Sequence, residues 1–351
     1  MILELAGGAA IAALVSLVAC RLMLNAGLID APDVARKAHG QPTPTSGGIG
    51  IAAGFAAALA MLAFLSESVR TEMHPRGAML LALSASFAYL FLLIGFWDDA
   101  RPLSAKLKFA LFTAASLGAV LAMGAVRQFP FGDGASWTAP YWVGLAGTAL
   151  WIFTLVNAVN FMDGANGLAM GSVAIGLAAL GVVSNAHGSL AGLAMALYAA
   201  GALVGFLFWN FPAGRLFAGD SGALFAGAIA ALASIVVLHR TGVSPLIPPI
   251  LFFPLLADVL VTLAWRAWRR HSLFDGHSQH IYQIARHAGM SHAEVALIYW
   301  VLTGACGAIG FLLANETLVA QLIALGAMGA GAIVISAAVR RFAGRTGVTG
   351  V

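Results

Sequence analysis

Eleven apolar runs, each long enough to cross about 30 Å of hydrocarbon, leave this chain little choice of fold. They cover approximately 2–24, 47–65, 78–96, 108–126, 141–160, 168–185, 190–210, 221–238, 246–265, 293–313 and 318–338. In hydrocarbon every backbone N–H and C=O must be satisfied within the segment, so runs of this length and number fold as helices. Only 9% of the residues are charged, against roughly 25% in soluble proteins, which excludes a soluble globular domain. The expected architecture is an all-α integral membrane protein of about eleven transmembrane helices, one polytopic domain over residues 1–351. Cys20 and Cys306 both lie inside apolar runs, which favours neither a disulfide framework nor a cysteine metal site.

Charge placement orients the chain. The first run carries Glu4 early and Arg21 at its end, the reverse of a secretory signal peptide, and suits an uncleaved span with its N-terminus outside. Loops after odd-numbered spans then face the cytoplasm. That side holds Arg21, Arg36, Lys37, Arg101, Lys106, Lys108, Arg215, Arg266, Arg269, Arg270, Arg286, Arg340, Arg341 and Arg345, whereas the other holds Arg70, Arg76, Arg127 and Arg240. Fourteen basic residues against four is a positive-inside bias, and it leaves the C-terminus cytoplasmic. The net charge of +4 belongs to this asymmetry and implies no nucleic-acid partner.

The cytoplasmic loops carry the polar residues that a bilayer protein has most reason to avoid. Asn157, Asn160, Asp163 and Asn166 fall within ten residues at the end of one apolar run and before the next. A capped helix–helix turn needs one such residue, so four imply a wet cavity or a site. Asp98 and Asp99 close the third run, at a helix C-terminus where the dipole is already negative. Something cationic must offset them, either a metal or the nearby Lys106. Asp220 opens the eighth run, where it is either a helix cap or a ligand, and Phe217 beside Gly219 offers a platform for an aromatic base. The first loop sets Arg36, Lys37 and His39 beside a Pro/Thr/Gly-rich segment, which suits an anionic group or a lipid-surface anchor. In the fifth loop, Ile281, Ile284, Ala285 and Ala288 fall at helical spacing, with His280, Gln283, Arg286 and His287 opposite, so a short interfacial helix is expected. Ser291 and Glu294 then form a capping box for the tenth span. Asp258, inside the ninth span, is expected to pair with Arg266 or to mark a cavity.

Taken in order, these loops resemble the polyprenyl-phosphate N-acetylhexosamine-1-phosphate transferase superfamily, of glycosyltransferase 4 type. The matching pieces are Arg36-Lys37-x-His39, Asp98-Asp99 with Ser-Ala-Lys106, Asn157-x-x-Asn160-x-x-Asp163-Gly, Phe217-x-Gly219-Asp220-Ser-Gly and His277-x-x-His280-x-Tyr-Gln283. Two departures stand out. The usual Asp-Gly-x-Asp-Gly reads Asp163-Gly-Ala-Asn166-Gly, and the histidine loop resembles the O-antigen-initiating branch instead of the triple-histidine muramoyl-pentapeptide branch.

The resemblance implies transfer of an N-acetylhexosamine-1-phosphate, from N-acetylglucosamine or a 6-deoxy relative, from a UDP-sugar to undecaprenyl phosphate. UMP is released on the cytoplasmic face of a bacterial inner membrane, and the lipid-linked product starts a cell-envelope polysaccharide. The implied cofactor is Mg²⁺, with Mn²⁺ as a substitute, and the implied partners are the two substrates and the bilayer, a homodimer being compatible. By the same resemblance Asp220 is the principal metal ligand and Asp99 a supporting or alternative one. Asp98 orients the acceptor phosphate, while Lys106, His277 and His280 neutralise phosphates. Phe217 and Asn166 hold uracil, and Asn157, Asn160, Asp163, Gln283, Lys37 and His39 complete the substrate side. Direct attack by the acceptor and a covalent Asp98 intermediate both remain open. A transporter or flippase for a lipid-linked or anionic solute is the alternative from another class.

Overall fold

The computed structural model describes residues 1–26, 29–30, 43–132, 135–272 and 278–345. Its helices, in order, are α1 (Ile2–Ala26), α2 (Gly47–Phe64), α3 (Glu67–Glu72), α4 (Pro75–Ala100), α5 (Ala105–Met123), α6 (Tyr141–Met162) and α7 (Leu168–Ala186). There follow α8 (Leu190–Asn210), α9 (Gly219–Thr241), α10 (Ile247–Leu251), α11 (Phe253–Trp268), α12 (Ile281–His287), α13 (His292–Leu313) and α14 (Leu318–Arg345). Among the described residues, ten of these helices are long and apolar enough to span a bilayer.

The ninth expected span, 246–265, is divided between α10 and α11 at Phe252, whose φ of −103° and ψ of 15° leave the helical range. Proline explains the break. Pro254 has no N–H to donate, and its ring crowds the carbonyl of Ile250. Other ends follow local chemistry. Ser104 accepts from the Leu107 N–H to start α5, and Gly242 closes α9 in the left-handed region at φ 69°. The expected capping box of Ser291 and Glu294 opens α13.

Nearly every residue of α9 is buried, and it forms the axis against which α2, α4, α6, α7 and α8 pack. Lipid is as apolar as leucine, so close approach of small residues must supply the attraction between such helices. Gly95 of α4 shows how close: a Cβ there would sit 2.5 Å from the Asp220 carbonyl oxygen. By contrast α14 turns Leu322, Ile323, Ile333, Val334 and Ile335 outward.

Two small antiparallel pairs were not foreseen. Strand β1 (Ile29–Asp30) pairs with β2 (Thr43–Pro44), and β3 (Gln128–Gly132) pairs with β4 (Ala135–Thr138). The second pair sets Phe129 against Trp137, rings 5.5 Å apart. The expected interfacial helix is α12, buried through Tyr282 and Ile284.

Candidate active site

The C-terminal ends of α4 and α6 and the N-terminal ends of α5 and α9 meet at one end of the bundle. The Asp98 carboxylate accepts the Leu103 N–H at 2.8 Å through one oxygen and pairs with the Lys108 ammonium through the other. Lys108 also lies 3.2 Å from Asp220 Oδ2, and Asn160 Nδ2 donates to Asp220 Oδ1 at 2.9 Å. Four side chains from four helices thus converge on one point.

Of the two offsets expected for the adjacent carboxylates, a metal or Lys106, the lysine is corrected: Lys108 meets Asp98. The two lysines are two residues apart, so they leave α5 about 200° apart. Lys106 is exposed, whereas Lys108 is half-buried against the carboxylates.

Asp99 finds a different offset. Its two oxygens accept the N–H groups of Asp220 and Ser221, at 2.7 and 3.0 Å. Those donors are unpaired at the start of any α-helix, and the positive end of the helix dipole lies there too. One helix end therefore caps another. The arrangement depends on Gly219, which has a φ of 71° and leaves no room for a Cβ, since one would sit 2.5 Å from the Thr45 carbonyl and 2.7 Å from Asp99 Oδ2. Each of these oxygens accepts one N–H and keeps a lone pair, so Asp99 stays chemically able to support a metal.

Among the described residues, no three His, Cys, Asp or Glu side chains form a self-contained metal cage. Mg²⁺ does not require one. It is commonly held by one or two carboxylates with substrate phosphates and waters. Asp220 and Asp98, converging on a single cation, fit that pattern.

The remaining sequence candidates divide into three groups. Asp163 ends α6, and burial together with the charges of Asp220 and Asp99 pushes its carboxyl well above the usual range. His280 is buried, its ring stacked on Phe161 with centroids 5.8 Å apart. Phe217 is half-buried, and its backbone joins the first and fourth loops: its N–H donates to the Pro44 carbonyl and its carbonyl accepts from Gly47. A second group bonds backbone groups. Asn157 Nδ2 donates to the Phe153 carbonyl, Asn166 Nδ2 to the Pro212 carbonyl, and Gln283 Oε1 accepts the His280 N–H in a capping box. Lys37, His39 and His277, with Arg36, lie outside the described residues.

Of the two expectations for Asp258, pairing with Arg266 is the one the structure overturns. Arg266 instead bonds the Gln279 side chain and the Ser272 carbonyl. Asp258 accepts the N–H groups of Ile281 and Tyr282 at 2.8 and 3.0 Å and the Tyr299 hydroxyl at 2.5 Å. Sequence offers one signal for it, an acid inside an apolar run, with nothing to name the partner.

Comparison with known proteins bears on this site directly. Residues 78–238, which include Asp98, Lys108, Asn160 and Asp220, match the family model described as glycosyl transferase family 4. A probable undecaprenyl-phosphate N-acetylglucosaminyl 1-phosphate transferase of Bacillus subtilis is 27% identical over 80% of this chain and 76% of its own length. A decaprenyl-phosphate N-acetylglucosaminephosphotransferase of Mycobacterium leprae is 28% identical over 86% of this chain and 80% of its own. A phospho-N-acetylmuramoyl-pentapeptide-transferase of the same organism is 32% identical over 76% of this chain and 82% of its own.

Proposed function

The chain belongs to the polyprenyl-phosphate sugar-1-phosphate transferase superfamily, and from that premise we propose that it moves an N-acetylhexosamine-1-phosphate from a UDP-sugar to undecaprenyl phosphate. The observation that carries this reading is the convergence of Asp98, Lys108, Asp220 and Asn160 at one end of a membrane bundle. An oxygen of the acceptor phosphate attacks the sugar-bearing phosphorus. The bond from that phosphorus to the bridging oxygen breaks, and the electron pair leaves with UMP.

A phosphate monoester has its second pKa near 6, so the nucleophile needs little deprotonation at neutral pH. Bringing two anions together is the harder task. Lys108 supplies fixed positive charge between the carboxylates, and the exposed Lys106 is placed to meet phosphates arriving from solvent. When bound, Mg²⁺ would be held by Asp220 and Asp98 and would neutralise diphosphate charge. Asn160 orients Asp220, and Asp98 orients the acceptor. The nucleotide lies toward Asn160, Asp163 and Phe217. Direct attack is the favoured route over a covalent Asp98 intermediate, because the acceptor is already a competent nucleophile.

A groove of about 540 Å³ between α4 and α5 supports a lipid acceptor. It is lined by Phe87, Leu90, Leu93, Trp97, Leu111 and Gly118, and its Trp97 and Leu111 lie next to the helical turns of Asp98 and Lys108. The isoprenoid tail takes this groove and leaves its phosphate at the cluster. The basic asymmetry assigns this end to the cytoplasm. The histidine loop favours N-acetylglucosamine or a 6-deoxy relative and a role in starting O-antigen synthesis. A transporter would place polar groups at a broken helix. The break at Phe252 is apolar instead, with Trp151 6.5 Å from the Phe252 ring.

The test is UMP release by purified protein given undecaprenyl phosphate and a panel of UDP-N-acetylhexosamines, with and without Mg²⁺. Metal-dependent UMP from at least one sugar is expected. None from any would sink the proposal and leave the transporter.

A further inference from the structure

Asp258 is a buried carboxylate, 1% exposed, in the helix α11 and outside the cluster described above. A buried acid is costly and survives only with a full set of partners. Here the partners come from two other places in the chain, the start of α12 and α13. The backbone N–H groups of Ile281 and Tyr282 open α12, the Tyr299 hydroxyl comes from α13, and His280 Nδ1 lies 3.3 Å away. Thr262, on the same helix as Asp258, also donates to it and receives a hydrogen bond from Arg340 of α14.

The link to the cluster runs through Tyr282. Its backbone is held by Asp258, and its hydroxyl donates at 3.0 Å to the carbonyl of Phe161. Phe161 follows Asn160, which holds Asp220, and precedes the turn bearing Asp163. That turn packs tightly on the phenol: a Cβ on Gly164 would sit 2.2 Å from the Tyr282 hydroxyl. His280 stacks on Phe161 from the same helix start.

We propose that Asp258 is a positioning residue for the donor side of the active site: by fixing the start of α12 it holds Tyr282 and His280 against the end of α6, and so sets Asn160 and Asp163. Asp258 touches no substrate. The proposal rests on the transferase reading, and its test separates the two.

Asp258→Asn keeps the shape but replaces one acceptor oxygen with an amide that opposes the backbone donors. Hydrogen exchange without substrate should show faster exchange in the segment 278–290. Steady-state kinetics should show the KM for the UDP-sugar rising about tenfold, with the KM for polyprenyl phosphate within twofold of wild type. A merely structural lesion lowers the active fraction and moves neither KM. Tyr282→Phe, which deletes only the hydroxyl, should reproduce the donor effect. The double variant should be no worse than twofold beyond the weaker single, because both break one link. Asp258→Glu should recover part of the donor affinity. If Asp258→Asn does not fold, Tyr282→Phe and Tyr299→Phe carry the test. Unchanged exchange, an unchanged donor KM in Tyr282→Phe, or additive losses would overturn the proposal while wild-type activity keeps the transferase reading. A wild-type protein that releases no UMP overturns both.

Discussion

Replacing Lys108 by Met keeps the aliphatic stem and deletes the ammonium that joins Asp98 to Asp220. At the 3.2 Å separation of Lys108 and Asp220, an effective dielectric constant near 20 gives about 5 kcal/mol of gross attraction. These side chains are 31% and 35% exposed, so screening and desolvation reduce the net contribution to about 1 kcal/mol. Asp98 dominates instead. Its side chain is 3% exposed, and stranding a buried charge costs about 3–5 kcal/mol. Because the Leu103 N–H still serves one oxygen, the expected total lies at the low end, about 3 kcal/mol. That corresponds to a melting temperature lower by roughly 4 °C. Turnover should fall about 100-fold or more, since Asp98 and Asp220 are no longer held at a common point. The assay is thermal unfolding in detergent beside single-turnover UMP formation. Lys108→Arg should recover most of the stability and only part of the rate, because a planar guanidinium does not reproduce a point charge. A Lys108→Met protein that melts within about 1 °C of wild type and turns over normally would refute the proposed role of this ion pair.

Lys106→Ala should lose activity without losing thermal stability, because Lys106 is exposed; a large melting shift with activity in proportion to folded protein would assign it a structural role instead. Asp220→Asn should abolish turnover in a folded protein and steeply raise the Mg²⁺ requirement, and normal activity at ordinary Mg²⁺ would reduce Asp220 to a structural residue. In Asp98→Asn, a loss that eases above about pH 6 supports direct attack, whereas an acceptor-independent UMP burst in wild type that vanishes in the variant supports the covalent route. Asp163 has a folded-state pKa above its unfolded value near 3.9, so its stabilising contribution is full below that value and is lost as pH rises through the folded one. Asp163→Asn should therefore gain melting temperature relative to wild type as pH rises from about 4 to 8, and a gap that is constant or shrinks would contradict the shift.

The sequence by itself determined the solvent and the chemistry of this protein. Apolar runs of bilayer length admit only helices, and the Asp98, Asn160 and Asp220 loops were legible because polar residues at those depths must meet something. The interfacial helix at Ile281–His287 and the cap at Ser291 were legible for the same local reason, since both depend on residues three or four apart. Tertiary structure decided which partner each charge meets. Lys106 and Lys108 differ only in the face of α5 that they occupy, and that face is assigned by α4 and α9. Asp99 became the cap of a helix that begins 120 residues later in the chain. Asp258 looked toward Arg266 in sequence, yet it bonds backbone N–H groups, which carry no sequence signature at all. The division follows from the range of the interactions. Periodicity, capping and hydropathy are written along the chain, whereas the pairing of buried charges is settled only when distant helix ends are brought within 3 Å of one another.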